Sequence, residues 1–246
     1  MSTATSHKNS TPSNAETVSS GERRHSTLLH IDVSARINHS ISRSLSSKFI
    51  ETWVKARPQD KVIRRDIGQH PPSFVTEKWI AASFTPKDQR TPTQLGTLAE
   101  SDELIAELKA ADILVLGTPM YNYGMPAALK AWVDQVIRVN ETFSFDLDRG
   151  DWPLEPILKR KILVGLTSKG EFGFGPGGMR QHMNFLDGHL EALAHYLGLE
   201  ERHFIHVEYQ EFKDQRHKNS RQQAETNVIK LAKSLAGVRH EKDRQG

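Results

Sequence analysis

Hydroxyl side chains gather where the first β-rich segment of the chain meets the first helical segment. Ser34 follows the β-rich segment, and Ser40-Ile41-Ser42 stands at the expected start of the helix. Hydroxyls and free backbone N–H groups at a helix N-terminus form an anion site that suits one phosphate group. Ser40 is also a common helix N-cap residue, so the sequence leaves both interpretations open. The loop carries neither G-x-G-x-x-G nor G-x-x-x-x-G-K-[ST], so the usual dinucleotide and P-loop fingerprints are missing.

A second loop directly follows an almost wholly apolar segment and reads Thr118-Pro119-Met120-Tyr121-Asn122-Tyr123-Gly124. Flat aromatic and amide side chains in that place suit a planar heterocycle, whose polar edge Asn122 and backbone N–H groups could bond. The alternative is a structural turn in which the tyrosines only cover the core. The position at the end of a buried strand favours a ligand-binding loop.

A third loop is rich in glycine, with five glycines between Gly170 and Gly178. Glycine lets the backbone approach a ligand closely and adopt positive φ, although a flexible hairpin has the same composition. Phe172 and Phe174 lie inside this stretch, and aromatic residues are unusual in a plain linker. The composition therefore favours a binding loop.

Alternating strand-like and helix-like segments must position these loops. Buried apolar runs and 3.6-residue periodicity predict five strand–helix units. Residues 67–92 contain four prolines, which predict a long loop with one helical turn near Trp79. The pattern indicates an α/β fold of three layers with a parallel sheet, in which ligands bind at the carboxyl ends of the strands. The predicted strands are 27–33, 61–66, 112–118, 161–167 and 202–208, and the predicted helices are 40–55, 93–109, 126–138, 181–197 and 217–236.

Composition excludes several classes of protein. With no cysteine, the chain has no disulfide, thiolate metal site or cysteine nucleophile. Lys and Arg outnumber Asp and Glu by only 33 to 30 and are interspersed with them, so nothing identifies a nucleic-acid binder. No apolar run is long enough for a membrane span or a secretory signal, so we expect a cytoplasmic protein, with a transit peptide as the alternative.

The ends of the chain differ in composition from its middle. Residues 1–26 hold eleven Ser or Thr and few apolar residues, which predicts a disordered extension. Residues 238–246 form a polar tail that we expect to fray. A single domain over residues 27–237 is therefore expected between them.

Together the three loops resemble those of the FMN-dependent NADH:quinone oxidoreductases, also called azoreductases, over about residues 27–237. Ser34 with Ser40-Ile41-Ser42 is similar to the phosphate-binding loop of that family. Met120-Tyr121-Asn122-Tyr123 is similar to its M-Y-N-F motif, and Ser168-Lys169-Gly170-Glu171 lies where the family has S-R-G-G. The resemblance implies a flavodoxin-like three-layer sandwich with a five-stranded parallel sheet.

The resemblance also implies roles for particular residues. Ser34, Ser40, Ile41 and Ser42 would hold the phosphate and ribityl chain of FMN. Met120, Tyr121, Asn122 and Tyr123 would contact the isoalloxazine, and Ser168, Lys169, Gly170 and Glu171 its other edge. The flavin N5 would carry the chemistry, so we name no catalytic side chain and no metal ligand. Tyr121, Tyr123 and Phe172 are candidates for stacking against an electron acceptor.

The activity implied by the resemblance is a ping-pong transfer of two electrons from NADH or NADPH to a quinone or azo compound. The family forms homodimers with active sites at the subunit interface, and no nucleic acid or membrane partner is expected. A flavodoxin-like electron carrier and a flavin-free binding or regulatory protein are the alternatives. Carriers of the flavodoxin type are strongly acidic, so the formal charge of +3 disfavours the first alternative.

Two positions of the third loop depart from the S-R-G-G pattern of the family. Lys169 replaces an arginine and loses its planar fork of donors. Glu171 replaces a glycine and adds a carboxylate, which we expect to disfavour an anionic reduced flavin. Asp187 is interpreted as an ordinary helix charge.

Overall fold

The computed structural model describes residues 25–245, with side chains described as far as residue 237. Residues 1–24, which make up most of the predicted disordered extension, therefore lie outside the described residues. Strands and α-helices alternate along the chain in this order: β1 (Thr27–Asp32), α1 (Ile41–Ala56), β2 (Lys61–Asp66), α2 (Glu77–Phe84), α3 (Pro92–Ala110), β3 (Ile113–Pro119), α4 (Ala127–Val136), β4 (Phe143–Phe145), β5 (Leu154–Pro156), β6 (Lys161–Ser168), α5 (Phe185–Ala194), β7 (Leu199–Val207) and α6 (Gln215–Gln245).

Five of the strands form one parallel sheet in the order β2-β1-β3-β6-β7. This confirms the predicted fold class. The chain leaves β1 toward β2 on one side and returns to β3 on the other, so the strand order reverses between β1 and β3. Such a reversal opens a crevice at the carboxyl ends of the strands. In the sheet register Asp32 pairs with Gly117 and Pro119 pairs with Ser168, so the loops that follow β1, β3 and β6 leave from the same edge.

The central strand β3 shows how the sheet builds two cores. Leu114 and Leu116 pack with α3, α4 and α5 on one face, and Ile113 and Val115 pack with α1 and α6 on the other. Successive side chains of a strand point to opposite faces, so a strand covered on both sides must be apolar throughout. All seven residues of β3 are buried, as are all eight of β6.

The structure differs from the sequence prediction most clearly in α2, in the β4–β5 hairpin, and at the ends of α5 and α6. Residues 67–92 contain the helix α2, which Thr76 caps through the backbone N–H of Trp79. The two-stranded hairpin β4–β5 was not predicted. The predicted helix 181–197 begins only at Phe185, because Asn184 accepts a hydrogen bond from Asp187 N and acts as its cap. Helix α6 continues to Gln245, through most of the polar tail.

The side chain of Trp79 anchors α2 to the rest of the domain. Its indole Nε1 donates to Gln135 Oε1 at 2.9 Å, and Gln135 in turn donates to the carbonyl of Ser73. Within residues 25–245, no helix has the length and apolar character needed to cross a bilayer.

Candidate functional site

Backbone hydrogen bonds bring the three sequence-predicted loops to one edge of the sheet. Val33 N donates to Gly117 O at 3.0 Å, which joins the first loop to the end of β3. Met120 N donates to Ser168 O at 2.9 Å, which joins the second loop to the third. The three loops therefore line one crevice at the point where the strand order reverses.

The first loop presents the N-terminus of α1. Ser34 and Ser42 are buried, and Ser40 caps the helix by accepting a long hydrogen bond of 3.4 Å from Arg43 N. The first bond of the helical ladder runs from Ser44 N to Ser40 O, so the N–H groups of Ile41 and Ser42 precede it. The N–H groups of a first helical turn have no partner within the helix and can bond an anion. Ser40 thus serves as a cap, and the helix end keeps donors for a phosphate.

Arg43 was missed by the sequence analysis, although it organises this loop. Its guanidinium forms two hydrogen bonds of 2.7 Å with the Asp66 carboxylate and lies 3.5 Å from Asp32 Oδ2. It also donates to the carbonyl of Ser34 at 2.6 and 3.2 Å. The hydrogen bond to Asp66, with the charge of Asp32, raises the pKa of Arg43. A cation in the first turn of a helix is unfavourable, because the helix N-terminus carries a partial positive charge. An arginine at this position therefore suggests that a carboxylate lies nearby.

A shallow cavity of about 380 Å³ lies against the first turn of α1. It is open to solvent, so an anion bound at the helix N-terminus could be reached from outside. Its polar wall includes the hydroxyl groups of Ser40, Ser44 and Ser47 and the guanidinium group of Arg221 from α6. The lining residues are Ile37, His39, Ser40, Ile41, Arg43, Ser44, Ser47 and Arg221.

The second loop is a tight reverse turn. Tyr121 and Gly124 exchange backbone hydrogen bonds of 3.2 and 3.0 Å. The two central residues, Asn122 and Tyr123, have φ of 47° and 66°, a region that residues other than glycine seldom occupy. Such strain persists only where the surroundings hold it, and it concentrates at functional sites. The turn leaves Tyr121 and Tyr123 partly exposed while Met120 packs against the core.

The third loop is folded on itself and is not a flexible hairpin. The Glu208 carboxylate accepts hydrogen bonds from Gly173 N at 3.0 Å and Phe174 N at 3.1 Å. A Cβ on Gly178 would lie 2.3 Å from the carbonyl oxygen of Gly173, so only glycine fits there. The ring of Phe174 is buried beneath the loop. Glycine at position 178 therefore allows the backbone there to pack closely against the backbone of Gly173.

Lys169 points into the protein and not toward the crevice. Its buried ammonium lies 2.8 Å from Asp187 Oδ2 and 5.4 Å from the centre of the Phe174 ring. Asp187 is thus the partner of a buried cation, and its interpretation as an ordinary helix charge was wrong. The two residues lie on separate elements, so helical spacing gave no signal for the pair. Any contact of Lys169 with a ligand in the crevice would be made by its backbone.

His206 lies beside this pair, is partly buried, and was also missed. Its Nδ1 lies 2.8 Å from Thr167 Oγ1, and its Nε2 lies 3.6 Å from Asp187 Oδ2. Burial lowers the pKa of His206, and the nearby charge of Lys169 lowers it further. The neutral imidazole links β7 to the end of β6, directly before Ser168.

Glu171 joins the third loop to the second. Its carboxylate accepts a hydrogen bond of 2.8 Å from the Tyr123 hydroxyl and pairs with Arg180 at 2.9 Å. The hydrogen bond to Glu171 raises the pKa of Tyr123. The added carboxylate, which was expected to disfavour an anionic reduced flavin, is therefore paired with Arg180.

Phe172 is built into an aromatic cluster. Its ring stacks on Tyr209 with centroids 4.5 Å apart, and the Arg180 guanidinium lies 4.9 Å from its centre. Phe212 meets the ring edge-on, and Arg216 lies beside Phe212 at 4.8 Å. With these neighbours packed around Phe172, the more accessible rings of the crevice are those of Tyr121 and Tyr123.

Comparison with known proteins identifies relatives over most of the described residues. A family model described as a flavodoxin-like fold matches residues 26–231. A protein named FMN-dependent NADH:quinone oxidoreductase 2 from Idiomarina loihiensis is 52% identical over 218 residues, covering 86% of this chain and 91% of the relative. A protein of the same name from Colwellia psychrerythraea is 51% identical over 216 residues, covering 85% of this chain and 99% of the relative.

Among solved structures, an FMN-dependent NADH-azoreductase from Bacillus anthracis in complex with FMN has a similar fold. The TM-score is 0.75 at 16% sequence identity, with 86% of this chain and 99% of that chain covered. At that identity the likeness concerns the fold alone.

Proposed function

The chain belongs to the family of FMN-dependent NADH:quinone oxidoreductases, and from this we propose that it binds FMN and uses NADH or NADPH to reduce quinones by two electrons. The observation that carries the proposal is the convergence of three loops at the crevice where the strand order reverses. FMN supplies the two-electron redox chemistry, which no amino-acid side chain provides. The protein residues bind the cofactor, orient it and admit its partners.

The first loop would hold the phosphate and ribityl chain of FMN through Ser34, Ser40, Ile41 and Ser42. Two features support this assignment: the unpaired N–H groups of the first helical turn and the open cavity beside them. Arg43 would act indirectly, since its guanidinium is occupied by Asp66 and by the carbonyl of Ser34. It would keep the loop in the shape that presents the donors.

The second and third loops would hold the isoalloxazine between them. Met120, Tyr121, Asn122 and Tyr123 would face one side of the ring system, with the strained turn fixing their positions. Ser168, Lys169, Gly170 and Glu171 would contact the opposite edge, Lys169 through its backbone. The planar aromatic and amide groups of this set match a planar heterocycle with a polar edge.

The electron acceptor would stack on the exposed side of the cofactor. Tyr121 and Tyr123 are 42% and 36% exposed and offer aromatic surface there, whereas Phe172 would contribute mainly through its ring edge. Quinones are the acceptors we propose first, with azo compounds as a second class. A cytoplasmic location remains part of the proposal, because NADH and NADPH are supplied in that compartment.

We also propose that the active unit is a homodimer. The β4–β5 hairpin exposes three large apolar side chains, with Phe145 54%, Leu147 75% and Trp152 73% accessible. Clustered exposed apolar residues of this kind mark interaction surfaces. Sedimentation equilibrium should give twice the chain mass, and Trp152→Asp should shift the mass toward the monomer. A wild-type protein that sediments as a monomer would refute the dimer.

The cofactor part of the proposal is tested by flavin uptake. The purified protein is mixed with excess FMN and desalted, and its absorption spectrum is recorded. We expect bound flavin at one FMN per chain, and steady-state kinetics with NADH and a quinone that give parallel double-reciprocal lines. Desalted protein that retains no flavin would refute the assignment and favour a flavin-free binding protein.

A further inference from the structure

Three side chains connect the second loop to the third at the mouth of the crevice. The Tyr123 hydroxyl donates to Glu171 Oε2 at 2.8 Å, and Arg180 Nη2 lies 2.9 Å from Glu171 Oε1. Each oxygen of the Glu171 carboxylate thus has its own partner. The carboxylate is charged, so both contacts are stronger than neutral hydrogen bonds.

Both ends of this connection are anchored in the protein. The Tyr123 carbonyl accepts from Phe185 N at 3.2 Å, which ties the strained turn to the start of α5. The Glu171 carbonyl accepts from Tyr209 N at 3.0 Å, which ties the third loop to the segment after β7. Arg180 donates in addition to the carbonyl of Phe172 at 3.2 Å. The three side chains therefore span two fixed supports, although Tyr123 and Glu171 are each about one third exposed to solvent.

The connection depends on two residue types that depart together from the family pattern described above. A phenylalanine at position 123 would lack the hydroxyl, and a glycine at position 171 would lack the carboxylate. With only one of the two departures, no side-chain hydrogen bond would join positions 123 and 171, and the backbone bond from Met120 N to Ser168 O would remain. The pair is therefore a property of this chain and not of the M-Y-N-F and S-R-G-G pattern.

We propose that Tyr123, Glu171 and Arg180 form a clasp that controls how fast FMN enters and leaves the crevice. The inference rests on the proposed function, which places the isoalloxazine between the two loops that the clasp joins. The clasp is closed in the structure described here, so the loops must separate before the ring system can pass between them. Opening then requires the loss of a charge-assisted hydrogen bond, and both association and dissociation of FMN are slowed.

This arrangement differs measurably from an ordinary ligand contact. A side chain that only touches FMN changes the dissociation rate and the affinity together, with the association rate nearly unchanged. A clasp that closes with and without ligand changes both rates by a similar factor and leaves the affinity nearly unchanged. The ratio of the two rate changes therefore separates the two roles.

The variants are Tyr123→Phe, Glu171→Gln and the double variant, all close to the original side chains in size. Two matched controls lie near the third loop outside the clasp: Tyr209→Phe removes a phenol hydroxyl, and Glu211→Gln removes a carboxylate beside Gly170. Association and dissociation of FMN are followed by the quenching and recovery of flavin fluorescence in stopped-flow mixing. Thermal melting of the flavin-free proteins confirms that each variant is folded.

We expect Tyr123→Phe, which removes the hydrogen bond, to raise both rate constants about fivefold or more, and Glu171→Gln, which keeps a neutral acceptor, to raise both by a smaller factor; the affinity should stay within about threefold of wild type. The double variant should be no faster than Tyr123→Phe, because that change alone removes the hydrogen bond on which both substitutions act. The controls should match the wild type.

Rates within about twofold of wild type in both single variants would overturn the clasp, as would a faster dissociation with a proportional loss of affinity. Wild-type protein that binds no FMN would instead overturn the proposed function and the clasp together. Wild-type protein that binds FMN while the variants keep its rates would overturn only the clasp.

Discussion

The ammonium group of Lys169 lies 2.8 Å from Asp187 Oδ2, sealed beneath the loop that follows β6. The lysine is 1% exposed, so this ion pair is shielded from water and from salt. The side chain of Lys169, which the sequence pattern assigns to the cofactor, thus forms an ion pair inside the protein. Its contribution is to fasten the glycine-rich loop to the first turn of α5.

Removing Lys169 should therefore destabilise the flavin-free protein. Lys169→Met leaves the partly buried Asp187 carboxylate without its cation while Asn184 Nδ2 still donates to it at 2.6 Å, so we expect a loss of about 1–3 kcal/mol. Adding Asp187→Asn should recover part of that loss, because the double variant lacks both charges of the pair. Urea unfolding of the wild type, both single variants and the double variant gives the coupling energy. Lys169→Met within about 1 kcal/mol of wild type would show that the pair is not stabilising.

Substitutions of Ser40 should distinguish its role as a helix cap from its proposed role in phosphate binding. Ser40→Asp keeps a good N-cap but places a negative charge where the FMN phosphate is proposed to bind, so stability should hold while FMN affinity falls at least about tenfold. Ser40→Ala should cost about 1 kcal/mol in the free energy of unfolding with a smaller loss of affinity. Riboflavin, which lacks the phosphate, should bind Ser40→Asp and wild type alike. Equal losses for FMN and riboflavin would place the phosphate elsewhere.

The glycine-rich loop offers a matched pair of alanine substitutions. At Gly178 a Cβ would lie 2.3 Å from the Gly173 carbonyl oxygen, whereas at Gly175 it would meet no atom within 4 Å. Gly178→Ala should therefore distort the loop, lower the melting temperature by several degrees and weaken FMN binding. Gly175→Ala should leave both nearly unchanged. Equal melting temperatures and equal FMN binding in the two variants would show that Gly178 is not required for close packing of the loop.

Acid stability should depend on Glu141, which lies in the loop between α4 and β4. Burial would raise its pKa, but hydrogen bonds from Lys109 at 2.7 Å and Lys87 at 2.6 Å outweigh burial and lower the pKa to about 2. The usual value for an unfolded glutamate is 4.5, so the stabilisation is complete above that pH. It should be lost as the pH falls from 4.5 toward 2, and it amounts to at most about 3 kcal/mol.

The measurement for Glu141 is the free energy of unfolding against pH for wild type and Glu141→Gln. The variant should be less stable at neutral pH, and its stability should fall less steeply through the acidic range. Glu155→Gln is the control, because Glu155 is exposed and lies 3.7 Å from Arg149 in a surface pair. A Glu141→Gln curve parallel to that of wild type would show that Glu141 does not carry this pH dependence.

The sequence predicts the sheet well because β3 and β6 are buried on both faces and are apolar almost throughout. The site loops are predictable for the same reason, since a parallel sheet places ligand-binding loops at the ends of such strands. The strands β4 and β5 have only three residues each, too few to show a period of two. Helix α2 was hidden by the prolines on either side of it.

The side-chain partners within the site could not be predicted, because they lie far apart in sequence. Tyr123 and Glu171 are 48 positions apart, and Arg43 and Asp66 are 23 apart. Neither helical nor strand periodicity relates residues at such separations. The inward direction of Lys169 likewise follows from the position of α5 and not from the loop sequence.

The central claim, that the crevice holds an FMN that NADH reduces and a quinone reoxidises, is tested most directly by anaerobic half-reactions. The FMN-loaded protein is titrated with NADH without oxygen, and a quinone is then added while the flavin absorption is followed. We expect the flavin bands to bleach with one NADH per flavin and to return with one quinone per flavin. Flavin that stays oxidised with both NADH and NADPH, or reduced flavin that quinones leave unchanged, would contradict the account.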